Sequence, residues 1–176
     1  MPAMSDAPLR GYKGRHEWFW EPNDDAHVYP VQHLVDMYHN SVGHNSTLIL
    51  GLTPDPSGLL PQADADTLAA FGNKIKELYA TPIAAASGNK NTKDIEVPKH
   101  KQIQRIVIQE DITKGQRVRS FQVSGFQNGK WKTLITGSSI GHKFIATLPQ
   151  AALYKKIRLQ IKESVAPPFI KAFTLY

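Results

Sequence analysis

The sequence predicts an α/β region followed by an all-β region. In the first 80 residues, apolar side chains recur at the spacing of amphipathic helices on both sides of one short, continuous apolar run. After about residue 93, apolar and polar residues alternate, which is the period of a β-strand. A stretch rich in small and polar residues separates these regions, so we place the domain boundary between Ala80 and Lys93.

Two amphipathic helices and a buried strand make up the predicted α/β region. The first helix has apolar residues on one face, namely Val31, Leu34, Val35, Tyr38 and Val42. Pro30 suits its first turn, and Gly43 suits a left-handed position after its last turn. Residues 47–52 form the continuous apolar run, which is typical of a parallel strand covered on both faces.

A loop dense in turn residues, at positions 53–58, leads to the second helix. The apolar stripe of that helix consists of Leu68, Phe71, Ile75 and Leu78. Asp64 and Asp66 lie near its start, and we interpret them as a pair of N-cap residues. The resulting order of helix, strand, loop and helix is that of the closing units of a (β/α) barrel.

The all-β region is predicted from a series of short segments with alternating polarity. Asn128 and Gly129 form a two-residue hairpin signal between two of these segments. Strands at this spacing, separated by turn residues, favour an antiparallel β-sandwich. Trp131 follows the hairpin turn, where packing in the core or across strands is more usual than a role as a sugar-binding platform.

Composition and charge argue against several classes of function. The chain has 21 Lys and Arg against 15 Asp and Glu, and the basic residues stand singly between apolar ones, which favours solvated strand faces over a nucleic-acid surface. It has no cysteine, and no stretch is long enough to span a bilayer. The seven histidines lack the spacing of a metal site. We therefore expect no metal, no cofactor, no nucleic-acid partner and no membrane partner.

Two tryptophans near the N-terminus form the most distinctive cluster of the chain. Trp18 and Trp20 are two residues apart, so in an extended segment they face the same side. A flat aromatic ring can bind the apolar face of a sugar, but a buried aromatic anchor is equally typical of such a cluster. The neighbouring His16 and Glu17 are candidates for hydrogen bonds to a sugar, with a salt bridge in the loop as the alternative.

The sequence of residues 16–22, His-Glu-Trp-Phe-Trp-Glu-Pro, resembles the end of the catalytic barrel in retaining α-L-fucosidases of glycoside hydrolase family 29. Residues 109–118, Gln-Glu-Asp-Ile-Thr-Lys-Gly-Gln-Arg-Val, resemble the β-sandwich that follows that barrel. The resemblance implies that residues 1–80 are the C-terminal fragment of a TIM-like barrel, and that residues 81–176 are a galactose-binding-like sandwich. It also implies hydrolysis of α-L-fucosides by the whole protein, with a fucosylated oligosaccharide or glycoconjugate as substrate.

The resemblance assigns a role to Trp18 only, against the fucose ring and its methyl group. His16 and Glu17 stay candidates for hydrogen bonds to the neighbouring sugar, with a salt bridge in the loop as an equal alternative. The resemblance assigns no catalytic residue to this chain. The related enzymes read Pro-Ala-Glu near the start of this region, and their Glu is the general acid/base, whereas Met4 stands at that position here. The nucleophilic Asp of the family lies upstream of the matching region. A retaining glycosidase needs two carboxyls about 5 Å apart, so we expect the chain to be inactive alone.

A complete barrel takes about 250 residues, so 80 residues can supply only its last units. Asp6 and Glu17 are carboxylates near the missing position, but neither matches a catalytic residue of the family. We expect residues 1–80 to self-associate or to bind the missing part of the barrel, because an unpaired apolar strand edge is an association site. The alternative function is a non-catalytic carbohydrate-binding or interaction module.

Overall fold

The computed structural model describes residues 3–14 and 18–176. The chain divides into two compact units. The first unit comprises the residues up to Val42 together with Ser46–Ala80, and the second comprises Gly43–Asn45 together with Thr81–Tyr176. No helix in the described part of the chain is both long enough and apolar enough to cross a membrane.

The first unit is a β-α-β-α arrangement. Its elements are β1 (Ala3–Pro8), a 3-10 helix (Asp25–His27), α1 (Val31–Ser41), β2 (Ser46–Gly51) and α2 (Gln62–Tyr79). β1 and β2 are parallel, with Ala3 opposite Ser46 and Pro8 opposite Gly51. β1 is not predicted from the sequence, because its residues, Ala-Met-Ser-Asp-Ala-Pro, lack the apolar alternation and the branched side chains that mark a strand. Its extended form depends on the ladder with β2.

The predicted helices are present, but the expected details at two of their ends are wrong. α1 ends at Ser41, and Gly43 does not have a positive φ; the left-handed residue of this connection is Asn45, with φ of 65°. Asparagine tolerates that conformation because its short polar side chain can bond locally. α2 follows Pro61 directly and has no side-chain cap, so the N-cap interpretation of Asp64 and Asp66 is incorrect.

Asp64 instead lies in the first turn of α2, where it is fully buried and paired with a buried arginine described below. Asp66 accepts a hydrogen bond from Gln62 at 2.8 Å on the exposed side of the helix. The small core of this unit consists of Leu9, Tyr29 and Leu34, with the α2 residues Leu68 and Phe71 packed against it. The predicted apolar stripe of α2 is therefore directed into the unit, as its spacing required.

The second unit consists of eight strands. They are β3 (Ala84–Gly88), β4 (Thr92–Glu96), β5 (Gln102–Glu110), β6 (Val118–Gln127), β7 (Lys130–Gly137), β8 (Phe144–Leu153), β9 (Lys156–Ser164) and β10 (Ile170–Leu175). Two antiparallel sheets result, with the strand orders β3-β10-β5-β8 and β4-β9-β6-β7. Buried residues of both sheets form one hydrophobic cluster, as in a β-sandwich, and examples are Ile108, Phe173, Phe121 and Leu159.

The hairpin predicted at Asn128 and Gly129 is present between β6 and β7. Both turn residues have positive φ, 52° and 78°, as a type I′ turn requires. Trp131 is 39% exposed and lies opposite Phe126, with 5.2 Å between their ring centroids. The guanidinium of Arg158, on β9 beyond β6, lies 4.3 Å from the Trp131 ring centroid. Trp131 therefore packs across the strands and is not a core residue.

The loop after α1 contributes a short segment to the second unit. Gly43 accepts a hydrogen bond from the backbone of Ile145 at 2.9 Å, and Asn45 donates one to the carbonyl of Lys143, also at 2.9 Å. The side-chain oxygen of Asn45 accepts a further bond from the backbone N–H of His142 at 2.6 Å. These bonds extend the sheet at the start of β8 by residues that are distant in sequence.

Candidate functional site

The carboxyl ends of β1 and β2 lie side by side because the two strands are parallel. Their last residues, Pro8 and Gly51, are paired, and the backbone N–H of Leu9 donates to the carbonyl of Gly51 at 2.8 Å. In α/β barrels and open α/β sheets, ligands bind at this edge, on the loops that follow the strands. The loop after β1 contains both tryptophans, so this edge is the candidate site.

Trp18 lies directly over the end of β2. A Cβ atom added to Gly51 would lie 2.9 Å from Cζ3 of Trp18 and 3.6 Å from Cα of Pro8. A side chain at this position would displace the indole from the strand end. The side chain of Trp18 is nevertheless 48% exposed, so one part of it packs on the strand ends and the rest is open to solvent. Phe19 is exposed and Trp20 is half-buried.

A buried arginine fixes the loop that contains Trp18. The Nη2 atom of Arg10 lies 2.6 Å from Oδ1 of Asp64 and 3.1 Å from Oδ1 of Asp25, and its Nη1 lies 3.5 Å from Oδ2 of Asp24. His27 bonds to the other oxygen of Asp24 through Nδ1. The guanidinium thus connects the end of β1, the segment before α1 and the first turn of α2.

The charges of this cluster support one another. Burial acts to lower the pKa of Arg10, but the hydrogen bonds and charges of Asp64 and Asp25 outweigh it and raise that pKa. Burial acts to raise the pKa of Asp24, and the bonds from His27 and Arg10 outweigh it in the same way, so that pKa lies below its usual range. The guanidinium of Arg10 and the carboxylate of Asp24 are therefore both charged at neutral pH. Buried ion pairs hold the geometry of the loop.

The loop after β2 is organised by Asp55. Its Oδ1 accepts hydrogen bonds from the backbone N–H and the hydroxyl of Ser57, at 2.8 and 2.6 Å, and from the N–H of Leu59 at 3.2 Å. The bond from the Ser57 hydroxyl is the main reason that the pKa of Asp55 is lowered. Thr53, at the start of the loop, is buried, and its hydroxyl has no partner among the described residues.

One face of the strand pair is open. In the parallel register, Met4 lies opposite Thr47 and Asp6 lies opposite Ile49, and all four residues are exposed on the same face. Met4 is 69% exposed. Asp6 is the one carboxylate that β1 and β2 present there, so the two strands do not assemble the carboxyl pair that a retaining glycosidase needs.

Comparison with known proteins identifies the family of this arrangement. No family model matches the chain. Over its full length the chain is 23% identical to Alpha-L-fucosidase 1 of Arabidopsis thaliana. It superimposes with a TM-score of 0.95, at 46% identity over 99% of its length, on a Bacteroides thetaiotaomicron protein provisionally assigned as an α-L-fucosidase. The chain matches the C-terminal part of the family 29 α-L-fucosidases.

A glycoside hydrolase family 29 member from a rumen bacterium agrees with this result, with a TM-score of 0.87 and 30% identity over 99% of the chain. The chain spans about 40% of the length of the curated relatives it matches. It covers 40% of the Bacteroides protein and 32% of the rumen protein. The resemblance to the C-terminal part of α-L-fucosidases that residues 16–22 and 109–118 indicated is thus confirmed.

The segment at residues 109–118 has a clear structural role in the fucosidase-like sandwich. Glu110 is buried at the end of β5, and its Oε1 accepts bonds from the backbone N–H groups of Arg117 and Val118, at 2.9 and 3.1 Å. Its Oε2 accepts one from the N–H of Gly141 at 2.9 Å. Asp111 caps the following 3-10 helix by accepting from the N–H of Thr113 at 3.2 Å. The segment therefore joins β5, β6 and the start of β8.

Of the three predicted sugar-binding residues, the structure describes one. Trp18 lies at the carboxyl edge of the strand pair, as described above. His16 and Glu17 lie outside the described residues, so their proposed contacts with a sugar stay predictions. Within the described part of the chain, no group of three or more His, Asp or Glu side chains is arranged to hold a metal ion.

The Arg10 cluster is not predictable from local sequence. Arg10 and Asp64 are 54 residues apart, and neither belongs to a local motif. The signal that was present is Asp24-Asp25 in the loop after β1. An acidic pair before a helix is common, however, and it does not by itself indicate a buried cation.

Proposed function

We propose that these 176 residues are the C-terminal part of a retaining α-L-fucosidase. In this proposal, residues 1–80 supply the last β/α units of the catalytic barrel, and residues 81–176 form a galactose-binding-like sandwich. The observation that carries the proposal is the position of Trp18 over the carboxyl edge of β1 and β2. It is supported by the match of the whole chain to family 29 proteins.

Trp18 is proposed to form one wall of the fucose site. An indole that packs on Gly51 with one part and is exposed with the other can cover the apolar side of a sugar ring and its methyl group. Its loop is tied by Arg10 to α2 and to β1, which limits the movement of the ring. His16 and Glu17, directly before Trp18 in the sequence, are proposed to bond the sugar on the leaving-group side.

We assign both catalytic carboxyls of the complete enzyme to positions other than the residues of this chain. Met4 stands where the acid/base is expected, and a thioether can neither protonate a leaving oxygen nor activate water. Asp55 is held by three hydrogen bonds within its own loop, so it is a structural residue. The chain alone is therefore proposed to lack hydrolytic activity.

The open strand pair supports the proposal that further barrel strands complete the site. Among the described residues, β1 pairs with β2 alone, and the face with Met4 and Ile49 is exposed. A pocket of about 490 Å³ between the opposite face and α1 leaves room for the side chains of a neighbouring helix. The missing part of the barrel would cover these surfaces, or the chain would self-associate through them.

The decisive experiment is a chimera. The matching C-terminal part of the Bacteroides protein, which is 46% identical, is replaced by this chain, and hydrolysis of an aryl α-L-fucoside is measured. We expect the chain alone to be inactive, and the chimera to become at least about 100-fold more active when Met4→Glu is introduced, as a general acid/base contributes about 10²–10⁴-fold. Trp18→Ala in the Met4→Glu chimera should raise KM.

A folded chimera that gains nothing from Met4→Glu would show that Met4 does not occupy the acid/base position. Turnover by the chain alone that survives Asp6→Ala and Glu17→Ala would overturn the assignment of the catalytic carboxyls elsewhere. The circular dichroism spectrum of each variant, compared with that of the parent chimera, serves as the control for folding.

Met4 also favours a second candidate function, which is sugar binding without hydrolysis. An exposed methionine in place of the acid/base, in a chain with a half-exposed tryptophan at the strand ends, would retain a sugar without cleaving it. Titration of the Met4 chimera with fucose distinguishes the two functions. Tight binding of fucose without turnover by the chimera that retains Met4 would favour the binding module, and weak binding would count against it.

A further inference from the structure

The charge of the chain is concentrated in the second unit. Residues 81–176 contain 16 Lys and Arg against 5 Asp and Glu, a net charge of +11, whereas residues 1–80 have a net charge of −5. The overall charge of +6 conceals this difference. A marked charge asymmetry between two parts of a chain indicates that the basic part meets an anionic partner.

Three connections of the sandwich bring basic residues together at one end. They are the β4–β5 connection at residues 97–101, the β6–β7 turn, and the β8–β9 connection at residues 154–155. The N–H of Val97 donates to the carbonyl of Lys155, and the N–H of Lys155 donates to the carbonyl of Phe126, both at 2.9 Å. We call this surface the basic end, and it consists of Lys99, His100, Lys101, Lys130 and Lys155.

The basic residues of this end are not neutralised by neighbouring acids. Within the described ranges, no ion pair involves Lys99, Lys101, Lys130 or Lys155. The acidic residues nearby on β4 are already paired. Glu96 lies 2.5 Å from Nζ of Lys156, and Asp94 binds Arg158 through two hydrogen bonds of 2.7 Å. The positive charge of the basic end is therefore available to a ligand.

A pocket of about 370 Å³ is lined by three residues of the basic end, Lys99, His100 and Lys155. Its polar lining combines ammonium and imidazole groups with amides and a phenol, from Lys99, His100, Lys155, Gln127, Asn128 and Tyr154. The ring of Tyr154 is held against Gly125, where an added Cβ would lie 2.5 Å from it. His100 and Asn128 are both left-handed, with φ of 66° and 52°, so the loops that form the pocket have defined turns.

We propose that the basic end binds an anionic saccharide, a sugar chain that carries carboxylate or sulfate groups. The ammonium groups match the anionic substituents, while the amides and the phenol match hydroxyl groups and a sugar ring. A nucleic acid fits less well, because it would require a basic track along several phosphates, whereas Lys99, His100 and Lys155 line a single pocket. This site lies in the sandwich and is independent of the proposed hydrolytic function.

The test uses the whole chain and three glucan or uronan probes. Binding of dextran sulfate, oligogalacturonate and uncharged dextran is measured by isothermal titration calorimetry in 0.15 M salt. We expect binding of at least one of the two anionic probes and none of dextran, and the two anionic probes separate sulfate from carboxylate recognition. The double variant Lys99→Gln/Lys155→Gln should bind about tenfold more weakly, because two ion pairs at a partly exposed site are lost.

The matched control is Lys114→Gln/Lys171→Gln, which removes the same charge from the opposite end of the sandwich. This variant should bind like the parent chain. The proposal is overturned if neither anionic probe binds, or if the two double variants lose affinity equally, since the attraction would then be general to the charged unit. Tighter binding of a single-stranded oligonucleotide than of either saccharide would also overturn it.

Discussion

Glu110 is the residue whose replacement should most clearly separate electrostatics from packing in the sandwich. Its carboxylate accepts three backbone hydrogen bonds, two at Oε1 and one at Oε2, and the side chain is 2% exposed. In Glu110→Gln, the amide can keep its oxygen toward two of the N–H groups. Its NH2 group then faces the N–H of Gly141, and a donor meets a donor.

The magnitude follows from these three bonds. One charge-assisted hydrogen bond is lost, a loss of about 1.5–3 kcal/mol, and a buried N–H is left without an acceptor. The two remaining bonds also weaken because the acceptor is no longer charged. We expect the free energy of unfolding of the second unit to fall by about 3 kcal/mol, which lowers its urea midpoint by roughly 1–2 M.

Amide hydrogen exchange measured by NMR gives the sharper assay, because it reports on single N–H groups. A loss of about 3 kcal/mol should accelerate exchange of the Gly141 N–H by roughly a hundredfold. Glu163→Gln removes the same charge from an exposed position of β9 and should change stability by less than about 0.5 kcal/mol. If Glu110→Gln behaves like Glu163→Gln, the carboxylate does not hold these loops together.

Three further predictions concern the individual units. Gly51→Ala should destabilise the first unit by about 1–3 kcal/mol in urea unfolding and alter its tryptophan emission, because the new Cβ would lie 2.9 Å from the Trp18 ring. Asp24→Asn should lower the urea midpoint at pH 7 and have a smaller effect at pH 3. Because the folded pKa of Asp24 is lowered, its stabilisation is complete above about pH 4 and is lost as the pH falls through the folded value. Residues 81–176 should unfold cooperatively when expressed alone, but at a lower urea midpoint than in the whole chain, because the bonds from the loop after α1 are missing.

Each of these predictions has a control or a contrary outcome. Gly72→Ala, in the helix α2 with open space around it, should stabilise the first unit by about 0.5–1 kcal/mol, so an equal effect of both glycine replacements would contradict the packing of Trp18. For Asp24→Asn, a destabilisation that is the same at both pH values would mean that charge is not the cause. A broad, non-cooperative transition of residues 81–176 would show that the segment is not an independent domain.

The elements predicted correctly from the sequence are those with local causes. α1 and α2 follow from apolar spacing, and the turn at Asn128 and Gly129 follows from the backbone preferences of two residues. β1 was missed because Ala3–Pro8 is a strand only through its pairing with β2, about 40 residues away. Local propensity is a weak guide when tertiary pairing decides the conformation.

The candidate site was predicted only in part, because some of its contacts are local in sequence and others are not. Trp18 belongs to a recognisable run of residues, so a sugar-binding role could be predicted for it. Its packing on Gly51 could not, because that contact joins residues 33 positions apart. Asp64 was visible as an acid near a helix start, where capping is the common role. Its pairing with Arg10 depends on the loop that brings β1 to α2, and no sequence period encodes that loop.

The contribution of residues 43–45 to the second unit has a consequence for synthesis of the chain. These residues leave the ribosome about 100 residues before their partners at the start of β8. At a translation rate of about 5–20 residues per second, roughly 5–20 s pass before the residues at the start of β8 are available for hydrogen bonding. During that time α1 and β2 can form, but the loop between them has no partner for its backbone groups. The sandwich therefore closes late in translation, and slowing of the ribosome between residues 46 and 143 would prolong exposure of this loop.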